Sequence, residues 1–225
     1  MTTVMLVHGA WHRPDSWAKL ETELRALGHD TRSPALPSAG ERPTAGMHDD
    51  AAVLAGELAS IAGPVVLLGH SYGGIPITEA AAGAGNVERL IYLAAYMPAE
   101  GQSLYTVHGF PDPEDMSGLF PVIDEPRTSF YGDLPDDEAE RAMGELVGQT
   151  VRSFAEKVGV AAWRDIPSTY IVAEHDRALP PAMQERMAAQ ATEIRRLPGG
   201  HSPFLSQPRR LATLIDEIVR SAGNS

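Results

Sequence analysis

The chain has 225 residues, 43% of them hydrophobic and 21% charged, a balance that fits one soluble globular domain with a sizeable core and excludes a disordered chain. With 18 Lys and Arg against 30 Asp and Glu the formal charge is minus 12, which argues against a nucleic-acid or membrane surface as partner. There is no cysteine, and Lys19 and Lys157 are the only lysines, so thiol nucleophiles, disulfides and thiolate metal sites are excluded and Schiff-base chemistry has little material.

Val4 to Val7 reads as a first strand ending at His8, Gly9 and Ala10. This run is too short for the apolar core of a signal peptide and has no basic stretch before it, and no run approaches the ~18 to 20 apolar residues of a membrane span, so a cytoplasmic protein is expected. Pro14 opens a helix in which Trp17, Leu20, Leu24 and Leu27 recur at helical spacing, and Gly28 stops it. A second strand is expected near Thr31 to Leu36, cut short by prolines, then a polar loop through Gly46 and a helix from about Met47 to Ala62. Pro64 to Leu68 reads as a buried strand, followed by a helix that carries Ile77 and ends at Gly83. Pro76, in the second turn of that helix, predicts a bend. Arg89 to Tyr96, Ser168 to Ala173 and Thr192 to Leu197 read as further strands, and Ser206 to Arg220 as the closing helix. Strands that alternate with helices predict βαβ units, hence an α/β fold with a mostly parallel sheet of about six strands flanked by helices.

Residues 98–167 differ in character. They hold 14 acidic and 5 basic side chains and seven of the fourteen aromatics: Tyr105, Phe110, Phe120, Phe130, Tyr131, Phe154 and Trp163. A connection this long inside a compact domain carries its own helices or a function, and Pro135 to Val147 and Gln149 to Val158 are predicted helical. The expectation is a core of 1–97 and 168–225 with a short, mainly helical cap over it. Its aromatic residues would line an apolar pocket; a second packing layer with a solvated acidic face is the alternative.

The strongest chemical signal is Gly69 His70 Ser71 Tyr72 Gly73 Gly74 between an apolar strand and a helix. A serine on a sharp strand-to-helix turn needs glycines two residues to either side so that the backbones can pass close to it. Serine is a poor nucleophile at neutral pH unless a base and an orienting acid accompany it. His201, in a glycine-rich loop after the last strand, can shuttle the proton, and Asp176, just past a strand, can orient the imidazole. Glu174 and Glu100 compete with Asp176 for that role. The backbone amides of Ala10 and Tyr72 are placed to hold an oxyanion. Trp11, Tyr96, Tyr105 and Phe130 are the candidate substrate-binding residues. His70 and His175 are expected to pack beside the site, and His29, His48 and His108 to lie outside it. No two histidines sit with a carboxylate at the spacing of a zinc hydrolase, so no metal and no cofactor are expected.

Together, His8 Gly9 Ala10 Trp11 with Trp17, the Gly69 to Gly74 turn, Leu93 to Pro98, Asp176 Arg177 with Leu179 Pro180, and Gly200 His201 with Gln207 Pro208 resemble the α/β-hydrolase superfamily. The chain is most similar to plant methyl esterases and hydroxynitrile lyases and their bacterial esterase relatives. The resemblance implies the sheet of that fold starting directly at the strand before His8, and a cap shorter than in the plant enzymes. The order Ser71, Asp176, His201 is the order of that fold. The lyases typically carry threonine at the position of Gly9, cysteine at that of Tyr72 and lysine at that of Ser202, and all three are absent, which points away from cyanohydrin cleavage.

The expected function is cofactor-independent hydrolysis of small, neutral, hydrophobic carboxylic esters through an acyl-enzyme. The alternatives are a non-hydrolytic small-molecule binding protein and a lyase or acyltransferase that uses the same residues.

Overall fold

Valine-, leucine- and isoleucine-rich runs are stable as strands in a parallel sheet only when both faces are covered. The computed structural model, which describes residues 2–222, builds such a sheet. In chain order the elements are β1 (Thr3–Val7), α1 (Ala18–Ala26), β2 (Asp30–Arg32), β3 (Ala39–Gly40), α2 (Met47–Ser60), β4 (Val65–His70), α3 (Gly74–Ala80) and β5 (Val87–Leu93). There follow α4 (Leu104–Val107), β6 (Leu119–Phe120), α5 (Pro126–Tyr131), α6 (Asp136–Gly144), β7 (Gly148–Thr150) and α7 (Val151–Ala155). The chain closes with β8 (Ser168–Ala173), α8 (Pro181–Ala188), β9 (Glu193–Leu197), α9 (Pro203–Ser206) and α10 (Pro208–Ala222).

Six strands pair in the order β2-β1-β4-β5-β8-β9, all parallel. Alternate residues serve opposite faces. Met5, Val7, Leu67, Tyr92 and Val172 join the apolar cluster under α2, α3 and α8, while Val4, Leu6, Leu68, Ile91 and Ile171 join the one under α1 and α10. Because both faces are buried, β4 reads as an unbroken apolar run and not as an alternating one. The chain leaves β1 through α1 to β2 on one side, whereas β4 lies on the other, so the loops after β1 and β4 part at a crevice beyond the carboxyl ends of the strands. That crevice is where Gly9, Ala10, Ser71 and Tyr72 lie.

Several local expectations change. The second strand stops at Arg32, because Pro34 and Pro37 have no amide to donate to a ladder. β5 ends at Leu93 and not at Tyr96, with Ala94 turning the chain at φ 43°. Ser71–Gly73 forms a 3-10 turn before α3 begins, so Pro76 falls in the first α-helical turn, where amides lack intrahelical acceptors and its missing N–H removes little. The closing helix starts at Pro208 and not at Ser206, which instead ends a separate short α9.

Residues 94–167 connect β5 to β8 and carry α4 to α7. They also build a three-stranded antiparallel sheet, β3-β7-β6, whose first strand comes from the segment before α2. The predicted helix at Gln149 to Val158 therefore starts as a strand. Thr150 ends the strand and caps α7, its hydroxyl accepting the Ser153 N–H at 3.2 Å, which sets the helix start at Val151. Phe130, Tyr131, Leu134, Phe154 and Val158 belong to the same apolar cluster as α2 and α3, so this segment shares the core of the sheet. Among the described residues no helix is long and apolar enough to cross a membrane.

Candidate active site

β4 carries the chain into a sharp turn at Ser71, whose φ of 53° is the left-handed conformation that non-glycine residues rarely adopt. The neighbouring glycines are required by contact. A Cβ on Gly69 would lie 2.6 Å from the Gly73 carbonyl oxygen, one on Gly73 2.6 Å from that of Val7, and one on Gly74 2.1 Å from that of Tyr96. The turn is further held by the Tyr96 N–H, which donates to the Ser71 carbonyl at 3.0 Å.

Asp176 follows β8 and His201 follows β9, and the parallel pairing of these strands brings the two loops together. His201 Nδ1 donates to Asp176 Oδ2 at 2.8 Å, with the histidine 2% and the aspartate 4% exposed. The other carboxylate oxygen accepts the amides of Ala178 and Leu179 at 2.8 and 2.9 Å, and Oδ2 also accepts Gln184 Nε2 at 2.9 Å. A carboxylate only accepts, so Nδ1 is the donor of this pair, and the neutral tautomer that donates from Nδ1 carries its lone pair on Nε2. Gln184 was not anticipated: a glutamine on a helix gives no sequence signal, and only the fold reveals that its amide also bridges Ala173 N and Leu179 O at 3.0 and 2.7 Å. Glu100 lies elsewhere, accepting from Ala161 N at 3.3 Å and pairing with Arg164 at 3.0 Å, and Glu174 is exposed.

Three more histidines are buried around this pair. His70 Nε2 donates to the His201 carbonyl at 2.9 Å, with the rings 4.6 Å apart. His8 Nδ1 donates to Gly9 O at 2.9 Å, and its Nε2 accepts Leu36 N–H at 3.3 Å. His12, which the sequence did not single out, donates from Nδ1 to Ala10 O at 2.7 Å and accepts the Tyr131 hydroxyl at 2.9 Å. Burial lowers His8 and His12 to about 4 and His70 well below its ordinary value, so all three are neutral at neutral pH and serve as spacers and donors. From the inserted segment, Asp133 Oδ2 accepts the Gly200 amide at 2.9 Å and the Ser206 hydroxyl at 2.8 Å, which ties down the loop before His201. His175, expected beside the site, is exposed.

Ser71, His201, Ala10 and Tyr72 open onto one cavity of about 210 Å³. Trp11, Tyr96, Tyr105 and Phe130, the candidate substrate-binding residues, all lie in its walls. So does His108, expected outside: the Tyr96 hydroxyl and His108 Nε2 lie 2.7 Å apart and form a polar contact in a wall that is otherwise largely aromatic. None of the lining residues is acidic.

The sequence profile of the alpha/beta hydrolase family matches residues 4–214. Over 244 residues the chain is 32% identical to a protein of Aspergillus novofumigatus named alpha/beta hydrolase nvfD, covering 97% of this chain and 95% of that one. It is 24% identical over 262 residues to methyl jasmonate esterase 1 of Vitis vinifera, with 96% of each covered. Among solved structures, that of a pyrethroid hydrolase from Sphingobium faniae superposes with a TM-score of 0.83 at 27% identity, covering 100% of this chain and 99% of that one. The chain belongs to the alpha/beta hydrolase family.

Proposed function

We propose that the protein hydrolyses carboxylic esters of small, neutral, hydrophobic molecules through an acyl-enzyme on Ser71. The observation that carries this reading is that Ser71 and His201 open onto the same apolar cavity while His201 is held by Asp176 at 2.8 Å. Ser71 Oγ attacks the ester carbonyl carbon and gives its proton to His201 Nε2, and Asp176 stabilises the imidazolium. The amides of Ala10 and Tyr72 hold the oxygen that becomes negative. Collapse of the tetrahedral intermediate breaks the bond to the alcohol, which leaves with the proton from His201. Water then gives a proton to His201 and attacks the acyl carbon, and the acid departs as Ser71 regains its proton.

The aromatic walls suit neutral ligands with a few polar groups, and the Tyr96–His108 contact offers one such anchor. The acidic side chains of the inserted segment lie outside the cavity, so their field acts at the mouth through solvent and is screened beyond roughly 8 Å in ~0.15 M salt. A fluorophosphonate probe should label the native protein one to one, and Ser71→Ala should abolish labelling and ester hydrolysis with the fold intact. An unlabelled wild type, tested with a probe small enough to enter, would replace the hydrolytic reading with a binding role.

A further inference from the structure

Trp11 follows Ala10 and Tyr72 follows Ser71, so the two proposed oxyanion amides sit on loops from different strands, and their separation needs an external constraint. One buried chain of hydrogen bonds spans them. Trp11, at φ 60°, donates its N–H to Gln149 Oε1 at 3.3 Å. Gln149 Nε2 donates to Ser38 Oγ at 2.8 Å and to Ser153 Oγ at 2.7 Å. Ser38 donates its hydroxyl to Asp50 Oδ2 at 2.5 Å and its amide to Oδ1 at 2.9 Å, and the Tyr72 phenol donates to Asp50 Oδ2 at 2.6 Å. Ser38, Asp50, Gln149 and Ser153 are 0% exposed and Tyr72 1%.

We propose that Gln149, Ser38 and Asp50 are positioning residues that set the distance between the Ala10 and Tyr72 amides. The inference rests on the acyl-enzyme reading above. An ionised Asp50 is acceptor-only, so both hydroxyls that reach it must donate to it, and each link in the chain then has one direction. Burying such a group is costly, and an apolar set of the same volume would hold the fold as well or better. Trp11 is likewise held in a conformation that is unfavourable for a bulky residue. Two locally unfavourable features that converge on neighbours of both amides are the mark of a preorganised site. The constraint also crosses the molecule: Gln149 belongs to β7 of the inserted segment, Asp50 to α2, and Ser38 to the loop between β2 and β3.

The test compares wild type with Gln149→Leu, Asp50→Asn, Ser38→Ala and Tyr72→Phe, the last two of which each delete a single oxygen and so keep the test alive if the others misfold. A neutral aryl ester supplies kcat and KM, an aryl trifluoromethyl ketone supplies the affinity for a tetrahedral oxyanion, and fluorophosphonate titration counts active sites. Loss of a whole oxyanion donor costs ~10²- to 10³-fold in kcat, so misplacing one should cost roughly 10- to 100-fold. KM should stay within about twofold, and ketone affinity should fall by the same factor as kcat/KM. An unchanged kcat per titrated site, even with a lowered Tm, would overturn the proposal by making the chain purely structural. A wild type that the fluorophosphonate does not label would instead remove the acyl-enzyme reading on which it rests, so the two failures are distinguishable.

Discussion

The two halves of the inserted segment lie in one stretch of sequence but in different physical environments. Residues 108–125 hold Phe110, Met116, Leu119 and Val122, all exposed, around short and irregular structure. Residues 126–158 bury Phe130, Tyr131 and Phe154, send Gln149 to the amide of Trp11, and send Asp133 to the loop before His201. The difference teaches that the second half is part of the framework of the site, whereas the first, although His108, Phe110, Phe120 and Ile123 line the cavity, is a largely exposed rim. Apolar content does not separate them, and both bond to the loop after β1, since Trp11 Nε1 donates to the Phe120 carbonyl at 3.2 Å; burial and the hydrogen bonds of Asp133 to the loop after β9 do.

The largest effect that could break this contrast lies at Phe154, which touches Trp11, Tyr72 and Phe120 at ring separations of 5.6, 5.5 and 5.0 Å. Phe154→Ala should cost about 3 to 5 kcal/mol in urea unfolding, as for a fully buried aromatic residue. A loss below about 1 kcal/mol would mean that the second half is as loosely attached as the first.

Next comes the pH dependence of Asp50, where the second half meets α2. Burial raises its carboxyl from 3.8 to about 6, so the native state holds this proton more tightly than the unfolded chain. The stability it contributes is therefore complete below pH 3.8 and is lost as pH rises through 6, by about 3 kcal/mol in all. Asp50→Asn cannot ionise, so its stability relative to wild type should rise by about that amount between pH 3 and pH 8. Protonation of His8, His12 and His70 at low pH weighs on both proteins alike and cancels in the difference. A difference that does not vary with pH would contradict a buried, ionising Asp50.

The smallest effect is expected in the rim. Phe110 is 60% exposed, and Phe110→Ala should shift stability by no more than ~0.5 kcal/mol. Because Phe110 also lines the cavity, the same change should lower kcat/KM for bulky esters several-fold and leave short ones nearly untouched. A large loss of stability would show that the rim is anchored after all.

How much of this was legible in the sequence depends on the range over which each feature is determined. The turn at Ser71 is legible as a local pattern of glycines at 69, 73 and 74 after an apolar run, although only the Gly69 contact is with a near neighbour; Gly73 and Gly74 are required by the carbonyls of Val7 on β1 and Tyr96 just past β5. Asp176 and His201 could be picked out because each follows a strand, and parallel neighbours place their following loops side by side. The local pattern reads Gln149 and Thr150 as the start of a helix, because the pairing of Gly148 and Gln149 with Gly40 and Ala39 leaves no mark in it.

The sequence by itself determined the parallel sheet, the serine turn and the order of the three polar side chains, because apolar runs, the glycine spacing around Ser71 and positions just past strands are patterns written within a few residues. Only the tertiary structure decided that Gln184 would grip Asp176, that His12 would brace Ala10, and that Gln149 would join Trp11 to Ser38 and Asp50. Trp11 and Gln149 are 138 positions apart and Gln149 and Ser38 are 111 apart. A polar side chain carries no signal of such a distant partner. What selects the partner is the cost of leaving a buried donor or acceptor unmet, and that cost exists only once the fold has removed water from both.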